Sequence, residues 1–243
     1  MARKNFNAGT LTAPLPAVMV SVGDMEESNI ITIAWTGILS SDPPRTYISV
    51  RKSRHSYEII KKTGEFVINL TSERLARITD YVGVYTGAKV DKFRECGLTK
   101  EKSLKVSAPT IKEAPVSLEC KVFDVIESGT HDIFMADIVN VSCDEELLDE
   151  KGRICFERAD LIAYSHGEYY ALGKRLGKFG YSTDKSYGQI ALTEEERSRG
   201  YQAKPNNENK KSRNKSSNHP RKKGWAAPKE KKRGVKKGGK GDK

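Results

Sequence analysis

The chain has 243 residues, enough to bury a hydrophobic core, and its formal net charge of +11 is concentrated at one end. Residues 201–243 carry 16 Lys/Arg and 3 Asp/Glu, whereas residues 1–200 carry 27 and 29 and are nearly neutral. The basic composition therefore excludes nothing and implies nothing about the function of residues 1–200. The sequence contains no apolar run of the roughly 20 residues that cross a membrane, so we expect no membrane span.

Four cysteines are spread along the chain, at Cys96, Cys120, Cys143 and Cys155. They form no C-x-x-C motif, so they predict neither a zinc knuckle nor a thioredoxin-type pair. Pro14 and Pro16 interrupt the short apolar run near the N-terminus, which argues against a signal peptide. We therefore expect a cytoplasmic protein with reduced thiols and no metal site.

The first part of the chain predicts short strands. PAVMVSV (16–22) and NIITIAWTG (29–37) are rich in β-forming residues and are separated by a polar turn, which predicts a hairpin. The Asp-Pro-Pro sequence at 42–44 then breaks the chain, and RTYISV (45–50) predicts a third strand.

Two helices are predicted on either side of the next strand. Ser53 or Ser56 can cap a helix that continues to about Lys62. EFVINL (65–70) predicts a strand, and TSERLARITDYV (71–82) has the pattern of a second helix.

A later pair of strands completes the predicted fold. VSLECKV (116–122) alternates apolar and polar residues, which predicts a strand buried on one face and exposed on the other. HDIFMADIVNVSC (131–143) follows a Ser-Gly-Thr turn and is expected to pair with it. Short strands with few helices between them favour a closed barrel over a doubly wound α/β sheet.

The composition changes at about Tyr201. Beyond it the chain is almost devoid of apolar residues, so we predict a folded domain over 1–200 and a disordered basic tail over 201–243. The tail, with a net charge of +13, has the composition of a basic arm for a polyanion such as RNA, and Trp225 could stack on a base. An equally open alternative is that the tail only aids solubility or holds the protein near anionic surfaces.

A cluster of basic and hydroxyl side chains occupies SVRKSRHSYEII (49–60). Arginine can hold two phosphate oxygens, and serine hydroxyls and helix-start amides donate further hydrogen bonds, so the cluster is a candidate anion site. A solvated surface turn remains the alternative on spacing alone. No P-loop or G-x-G-x-x-G motif is present to indicate another phosphate site.

Three further features leave a choice open. YVGVYTGAKVDKF (81–93) is either a pliable ligand loop or an ordinary surface loop that enters a helix. His131 opens a strand, where it can meet a ligand or a hydride donor or serve a structural role. Trp35 is either a core residue or the border of a planar ligand.

Four blocks occur in a characteristic order: residues 29–70, YTGAKVDKF (85–93), SGTHDIFMADIVNV (128–141) and AYSHGEYYALGKRLGKFGYS (163–182). This series resembles the flavin reductase-like, FMN-binding split-barrel family, and within it the flavoredoxin-type proteins, over about residues 10–182. The resemblance implies a mainly β fold. It is a six-stranded antiparallel split barrel with flanking helices, which forms a homodimer with FMN near the subunit interface.

The resemblance also implies roles for individual residues. The first block supplies flavin contacts from Asn29, Thr32, Ala34, Trp35 and Thr36. The FMN phosphate is held by the basic stretch, consisting of Arg51, Lys52, Ser53, Arg54, His55 and Ser56. The loop of the second block approaches the flavin with Lys89, Val90, Asp91 and Lys92. His131 lies where nicotinamide or another redox partner comes in, and Tyr164 helps to enclose the site.

The implied function is that of an FMN-dependent oxidoreductase or electron carrier, supplied by NAD(P)H or by a protein donor. Because the flavin performs the electron chemistry, no nucleophile or general base is required. Two alternatives stay open: a nucleic-acid-associated protein acting through its basic tail, and a flavin-binding protein without turnover. One departure from the family pattern is Ala136-Asp137, where many relatives have glycine before the acidic residue.

Overall fold

The computed structural model describes residues 3–184, 186 and 190–199, so the predicted tail lies outside the described residues and its disorder stays a prediction. The strands, in chain order, are β1 (Leu15–Pro16), β2 (Val18–Gly23), β3 (Ser28–Ile33), β4 (Thr36–Ser41), β5 (Pro44–Arg51), β6 (Glu65–Leu70), β7 (Lys100–Glu101), β8 (Thr110–Ile111), β9 (Val116–Ser128), β10 (His131–Cys143), β11 (Ile162–Ser165) and β12 (Glu168–Ala171). The α-helices are α1 (His55–Thr63), α2 (Ala76–Val84), α3 (Lys92–Cys96) and α4 (Glu194–Ser198). The predicted mainly β class with flanking helices is confirmed.

The main sheet has seven antiparallel strands in the order β3-β2-β6-β9-β10-β5-β4. Strands β3 and β4 lie at opposite edges of this sheet, yet only Ala34 and Trp35 separate them in sequence. The sheet must therefore curl until its edges meet, and the Ser49 amide donates to the Trp35 carbonyl at 2.9 Å across that junction. The result is a split barrel.

The predicted count of six strands was too low by one. The segment 29–37 was expected to be a single strand, but it breaks at Ala34 and Trp35. Its first part pairs with β2, and the part that begins at Thr36 crosses to β5. Side-chain pattern alone does not reveal this break, because both halves have strand-forming residues.

Strand β2 is buried on both faces, which explains its continuous apolar run. Val18, Val20 and Val22 point into the barrel core, which also contains Ile31 and Phe134. On the opposite face, Met19 belongs to a second core shared with residues of α2 and α3. The barrel wall is thereby fixed to the helical layer.

The predicted one-sided burial of β9 was wrong at two residues. Ser117 and Glu119, expected to face solvent, are each only 2% exposed. The Glu119 carboxylate accepts the backbone amides of Leu104 and Lys105 at 2.9 and 2.6 Å, so a loop that the strand pattern could not anticipate covers this face. Burial alone would raise the pKa of Glu119, but these bonds and one from Asn140 hold it below its usual value.

Strand β9 continues six residues beyond its predicted end at Val122. The extension leaves three apolar side chains, Phe123, Val125 and Ile126, between 39% and 46% exposed. The Phe123 ring lies 4.2 Å from the guanidinium carbon of Arg45, a cation–π contact. The other two side chains, being consecutive in the strand, are exposed on its opposite faces.

The helices differ from their predicted bounds at the ends. Helix α1 begins after Arg54, which occupies the N-cap position without a capping side chain, so neither predicted serine caps it. Helix α2 starts later than expected, after a 3₁₀ turn, and continues through Gly83 to Val84. Within the part of the chain that the structure describes, none of the helices is long and apolar enough to cross a membrane.

Arg3–Tyr181 form one compact unit. The predicted domain boundary at residue 200 lies where the description of the chain ends, and it stays a prediction. In the unit that contains residues 182–199, Thr193 and Glu196 form a reciprocal capping box at the start of α4.

Candidate functional site

Two adjoining pockets form a groove along the outside of β3, with volumes of about 290 and 460 Å³. We call the smaller one the basic pocket and the larger one the aromatic pocket, after the side chains described below. They share four lining residues, namely Ile31, Arg51, Arg54 and Gly83. The groove is therefore continuous from one end to the other.

The basic pocket is built on the turn between β5 and α1. Five residues of the predicted anion-binding stretch line it: Arg51, Ser53, Arg54, His55 and Ser56. Helix α1 begins here without a capping side chain, and although the Tyr57 amide donates to the Arg54 carbonyl at 2.9 Å, the helix start favours an anion. The structure thus brings together most of the residues that the sequence singled out, in a turn whose residues 51–55 are exposed.

Lys52 is the exception in this stretch. It lines neither pocket, and its ammonium lies 3.3 Å from carboxylate oxygens of both Glu127 and Asp132. The two carboxylates raise the pKa of Lys52 above its ordinary value, chiefly through the hydrogen bond to Asp132. The structure therefore places the Lys52 side chain in ion pairs outside the pocket, in the turn that follows β5, and not among the pocket-lining residues of the predicted phosphate site.

Lys92 contributes a buried positive charge to the basic pocket. It is 4% exposed, and its ammonium donates to the carbonyls of Ile30 and Val82 at 2.7 Å each. Burial, together with the nearby Arg54 charge, lowers the pKa of Lys92 to about 8. The pocket thus combines permanent arginine charges with one lysine whose charge depends on pH.

The loop after α2 closes the basic pocket. Thr86 and Gly87 line it, and a Cβ added to Gly87 would lie only 2.2 Å from the Asn29 amide oxygen. Glycine is required here because the loop backbone approaches the Asn29 side chain so closely. Asn29 also lines the pocket and donates to the Ser56 hydroxyl at 2.8 Å, which joins β3 to α1.

Three predicted contacts from the same loop lie elsewhere. Lys89, Val90 and Asp91 line neither pocket. Asp91 instead caps α3 by accepting the Arg94 amide at 3.2 Å. The first two sit in a turn closed by backbone bonds to the Thr86 carbonyl.

The aromatic pocket has Trp35 and His131 on one wall. Their ring centroids are 4.6 Å apart, and Trp35 is 39% exposed, so it borders the pocket and is not a core residue. The His131 Nδ1 lies 2.9 Å from the Thr130 hydroxyl. Burial lowers the pKa of His131, as do the charges of Arg51 and Arg54, so the imidazole is neutral at neutral pH.

The opposite wall comes from the hairpin of β11 and β12. Tyr164, which the sequence singled out, and Tyr169 line the pocket with their ring centroids 5.3 Å apart. Asp80 on α2 lies beside them. Burial, together with the Asp80 carboxylate, raises the pKa of Tyr169 to about 12, so its hydroxyl keeps its proton.

The remaining predicted residues of the first block divide between the groove and the barrel. Thr32 and Ala34 line the aromatic pocket. The Thr32 hydroxyl donates to the Thr79 carbonyl on α2, so its proton is used within the fold. Thr36 lines neither pocket, and its hydroxyl donates to the Tyr47 carbonyl at 2.5 Å.

Sequence reasoning missed several residues that line the groove. Nothing in the sequence marked Asp80 or Tyr169 as a site residue. Asp80 lies within a predicted helix, and Tyr169 is one of two adjacent tyrosines. Gly83 faces Thr32 on β3, because a Cβ added to this glycine would lie 3.1 Å from the Thr32 Cβ, and only the structure shows this close packing. The departure at Ala136 has no effect on the groove, since this residue is buried in the barrel core.

The groove suits a ligand with an anionic end and a planar apolar end. Arginine and lysine charges, hydroxyls and helix amides surround one end, and an indole, a phenol pair and aliphatic side chains surround the other. Among the described residues, no group of three or more His, Cys, Asp or Glu side chains is placed to hold a metal ion.

Comparison with known proteins identifies the family of this groove. The sequence model of the flavin reductase like domain matches residues 11–173, which include both pockets. The crystal structure of flavoredoxin from Desulfovibrio vulgaris (Miyazaki F) is similar with a TM-score of 0.70 and 34% identity, over 75% of this chain and all of that one. Flavoredoxin from Methanosarcina acetivorans shares the fold, with a TM-score of 0.69 and 23% identity over 76% of this chain and all of its own.

A curated relative with a named activity is also similar. The FMN reductase (NADH) RutF of Agrobacterium fabrum is 25% identical over 103 residues. That alignment covers 42% of this chain and 57% of the relative.

Proposed function

This chain belongs to the flavin reductase-like domain family, and on that premise we propose that it binds FMN and acts as an FMN-dependent oxidoreductase or electron carrier. The observation that carries the proposal is the continuous groove, which is basic at one end and aromatic at the other. FMN has the matching shape, with a dianionic phosphate joined by a ribityl chain to a planar ring.

The basic pocket fits the phosphate by its donor set. Arg51, Arg54 and Lys92 would supply positive charge, and the hydroxyls of Ser53 and Ser56 would donate hydrogen bonds. Bidentate arginine contacts suit an anionic phosphate and have no equivalent with a neutral group. The pocket therefore favours FMN over riboflavin, which lacks the phosphate.

The aromatic pocket fits the ring. Trp35, Ile33 and Ala34 would line it on the side of the barrel, and Tyr164 and Tyr169 would exclude water from the other side. Bound FMN would accept a hydride or electrons and pass them on, which is chemistry that the protein itself does not supply. His131 would contribute a neutral imidazole at the open wall, where an electron donor can approach.

The donor is NAD(P)H or a redox protein, and the NADH-dependent relative supports the first of these. A flavin that bleaches on anaerobic mixing with NADH or NADPH would establish a reductase. A flavin that stays oxidised with both nucleotides but accepts electrons from a redox protein would establish a carrier. A flavin that accepts electrons from neither would contradict both forms of the proposal and favour a binding protein without turnover.

We also propose that the protein is a homodimer. Phe123, Val125 and Ile126 leave apolar side chains exposed along the extended end of β9, and a second chain would cover part of this surface. Sedimentation of the purified protein at two chains per particle is expected, and replacement of Ile126 by lysine should shift it toward a monomer. A parent protein that sediments as a monomer would contradict this.

Removal of the arginine pair tests the phosphate assignment. Replacing Arg51 and Arg54 together by glutamine should weaken FMN binding at least about 100-fold, because each charge-assisted bond contributes roughly 1.5–3 kcal/mol. The matched control replaces Lys62 and Lys102 by glutamine, which removes two exposed charges outside the groove. FMN titrations in which the double variant and the control bind equally would show the assignment to be wrong.

A further inference from the structure

The turn that supplies the basic pocket is fastened at both of its ends. The pocket-lining residues Ser53, Arg54, His55 and Ser56 are bracketed by Lys52 and Tyr57, neither of which lines the pocket. The side chains of Lys52 and Tyr57 meet at a single carboxylate, that of Asp132 on β10.

The first fastening is the ion pair of Lys52. Its ammonium lies 3.3 Å from Asp132 Oδ1 and 3.3 Å from Glu127 Oε2. The two carboxylates differ in their surroundings, because the side chain of Asp132 is 3% exposed and that of Glu127 is 81% exposed. Asp132 is therefore the partner of Lys52 with a fixed position, whereas the ion pair with the exposed Glu127 contributes little to stability.

The second fastening is the hydroxyl of Tyr57, which donates to Asp132 Oδ2 at 2.5 Å. Tyr57 is 5% exposed and packs edge-on against Phe134 in the barrel core, with ring centroids 5.5 Å apart. The hydrogen bond therefore ties the first turn of α1 to the barrel wall.

Asp132 itself is held rigidly. It pairs with Val50 in the antiparallel ladder between β10 and β5, directly before the turn begins. The hydrogen bond from Tyr57, opposed by burial and aided by Lys52, holds the pKa of Asp132 below its ordinary value. The carboxylate thus stays ionised at neutral pH, with Oδ2 accepting the Tyr57 hydrogen bond and Oδ1 in an ion pair with Lys52.

We propose that Asp132, together with Tyr57, is a positioning residue that preorganises residues 53–56 for a phosphate group, an inference that rests on the proposed function. Neither residue touches the ligand. They act by fixing the backbone on both sides of the turn, so that its arginine, hydroxyl and amide donors already point into the basic pocket before the phosphate arrives.

The role predicts an effect on the phosphate end of the ligand alone. If the turn loses its fastening, part of the binding free energy must order it, and the penalty falls on FMN but not on riboflavin. The ratio of the two affinities is therefore the readout. A general loss of stability would weaken both flavins in proportion and leave that ratio unchanged.

The test measures dissociation constants of FMN and riboflavin for the full chain, for Asp132→Asn and for Tyr57→Phe. Glu127→Gln is the matched control, because it makes the same chemical change in the other partner of Lys52. We expect the FMN-to-riboflavin affinity ratio to fall at least about tenfold in Asp132→Asn and Tyr57→Phe and to stay at the parent value in the control.

Each other outcome has a defined meaning. An unchanged ratio in Tyr57→Phe, or an equal loss of both flavins in both variants, would overturn the positioning role. If Asp132→Asn does not fold, Tyr57→Phe decides, since it removes a single hydroxyl. A parent protein that binds FMN more tightly than riboflavin supports the proposed function whatever the variants do, and a parent that binds neither flavin overturns both proposals.

Discussion

Lys92 differs from the two arginines of the basic pocket because its charge is conditional. An arginine stays protonated throughout the usual pH range, whereas burial and the neighbouring Arg54 lower the pKa of Lys92 to about 8. Its hydrogen bonds to two backbone carbonyls fix the ammonium in place between β3 and α2. The strength of the basic pocket is therefore expected to vary with pH.

FMN affinity should consequently fall above about pH 8. Below that pH the free protein carries the Lys92 ammonium, and above it the protein must take up a proton to recover the same attraction for the phosphate dianion. The dissociation constant should then rise by up to about tenfold per pH unit. Titrations of the parent and of Lys92→Met across this range check the prediction, and parallel profiles for the two proteins would contradict it.

His131 is expected to affect electron transfer more than binding. It borders the aromatic pocket beside Trp35 and does not line the basic pocket, although the charges of Arg51 and Arg54 act on it. Rapid mixing of His131→Ala with NADH or NADPH should show slower flavin reduction than in the parent at similar FMN affinity. Because the imidazole is neutral, the difference should persist between about pH 7 and about pH 8. Equal reduction rates would remove His131 from the mechanism.

The chemistry of individual residues was only partly predictable. The types of residue in 51–56 indicated an anion site, but the position of the Lys52 side chain depends on a carboxylate 80 positions away in the sequence. Asp80 and Tyr169 enter the site only because α2 and the β11–β12 hairpin meet there. The residues next to Asp80 and Tyr169 in the sequence do not indicate that α2 and this hairpin are in contact.

At the scale of elements, the loop after α2 is held by steric fit. Gly87 leaves no room for a side chain, because the Asn29 amide fills the space where a Cβ would lie. Asn29 in turn donates to Ser56 at the start of α1. The loop, β3 and α1 are therefore positioned as a unit around the basic pocket.

A methyl group at Gly87 should disturb all three elements. Gly87→Ala is expected to push Asn29 away from Ser56 and to weaken FMN binding by roughly tenfold, the usual cost of a lost buried hydrogen bond with its displaced loop. Gly173→Ala is the control, because an added Cβ there meets no atom within 4 Å. Calorimetric titration that finds the two variants equal in FMN affinity would show that the loop adapts freely.

Most strands and helices could be predicted from the sequence. The differences between the predicted and the observed elements have physical causes. The break at Ala34 and Trp35 escaped prediction because it arises from barrel closure, a long-range requirement. Helix α2 passes through Gly83 because close packing on Thr32 outweighs the low helix propensity of glycine. The burial of Glu119 depends on a covering loop and not on its strand.

At the scale of the whole molecule, the groove exists because the barrel closes. Closure places β3 beside β5, and β10 pairs with β5 so that His131 lies opposite Arg51. These segments are far apart in the sequence. Their local patterns predict strands and a turn, but only the resemblance to a family indicated that they form a single site.

The basic tail is expected to be separable from the flavin site. Every residue that lines the two pockets precedes Ala171, and the family match ends at residue 173. A chain that ends at residue 199 should therefore keep its FMN and its dimeric state, while any salt-sensitive binding of the full chain to RNA should be lost. Loss of FMN from the shortened chain would show that the tail contributes to the site.

The central claim is that the groove holds one FMN, and the flavin content of the purified protein tests it most directly. After saturation with FMN and removal of free ligand, the absorbance spectrum should give about one FMN per chain, released intact on denaturation because the pocket offers only noncovalent contacts. A colourless protein that retains no FMN after this treatment would contradict the account.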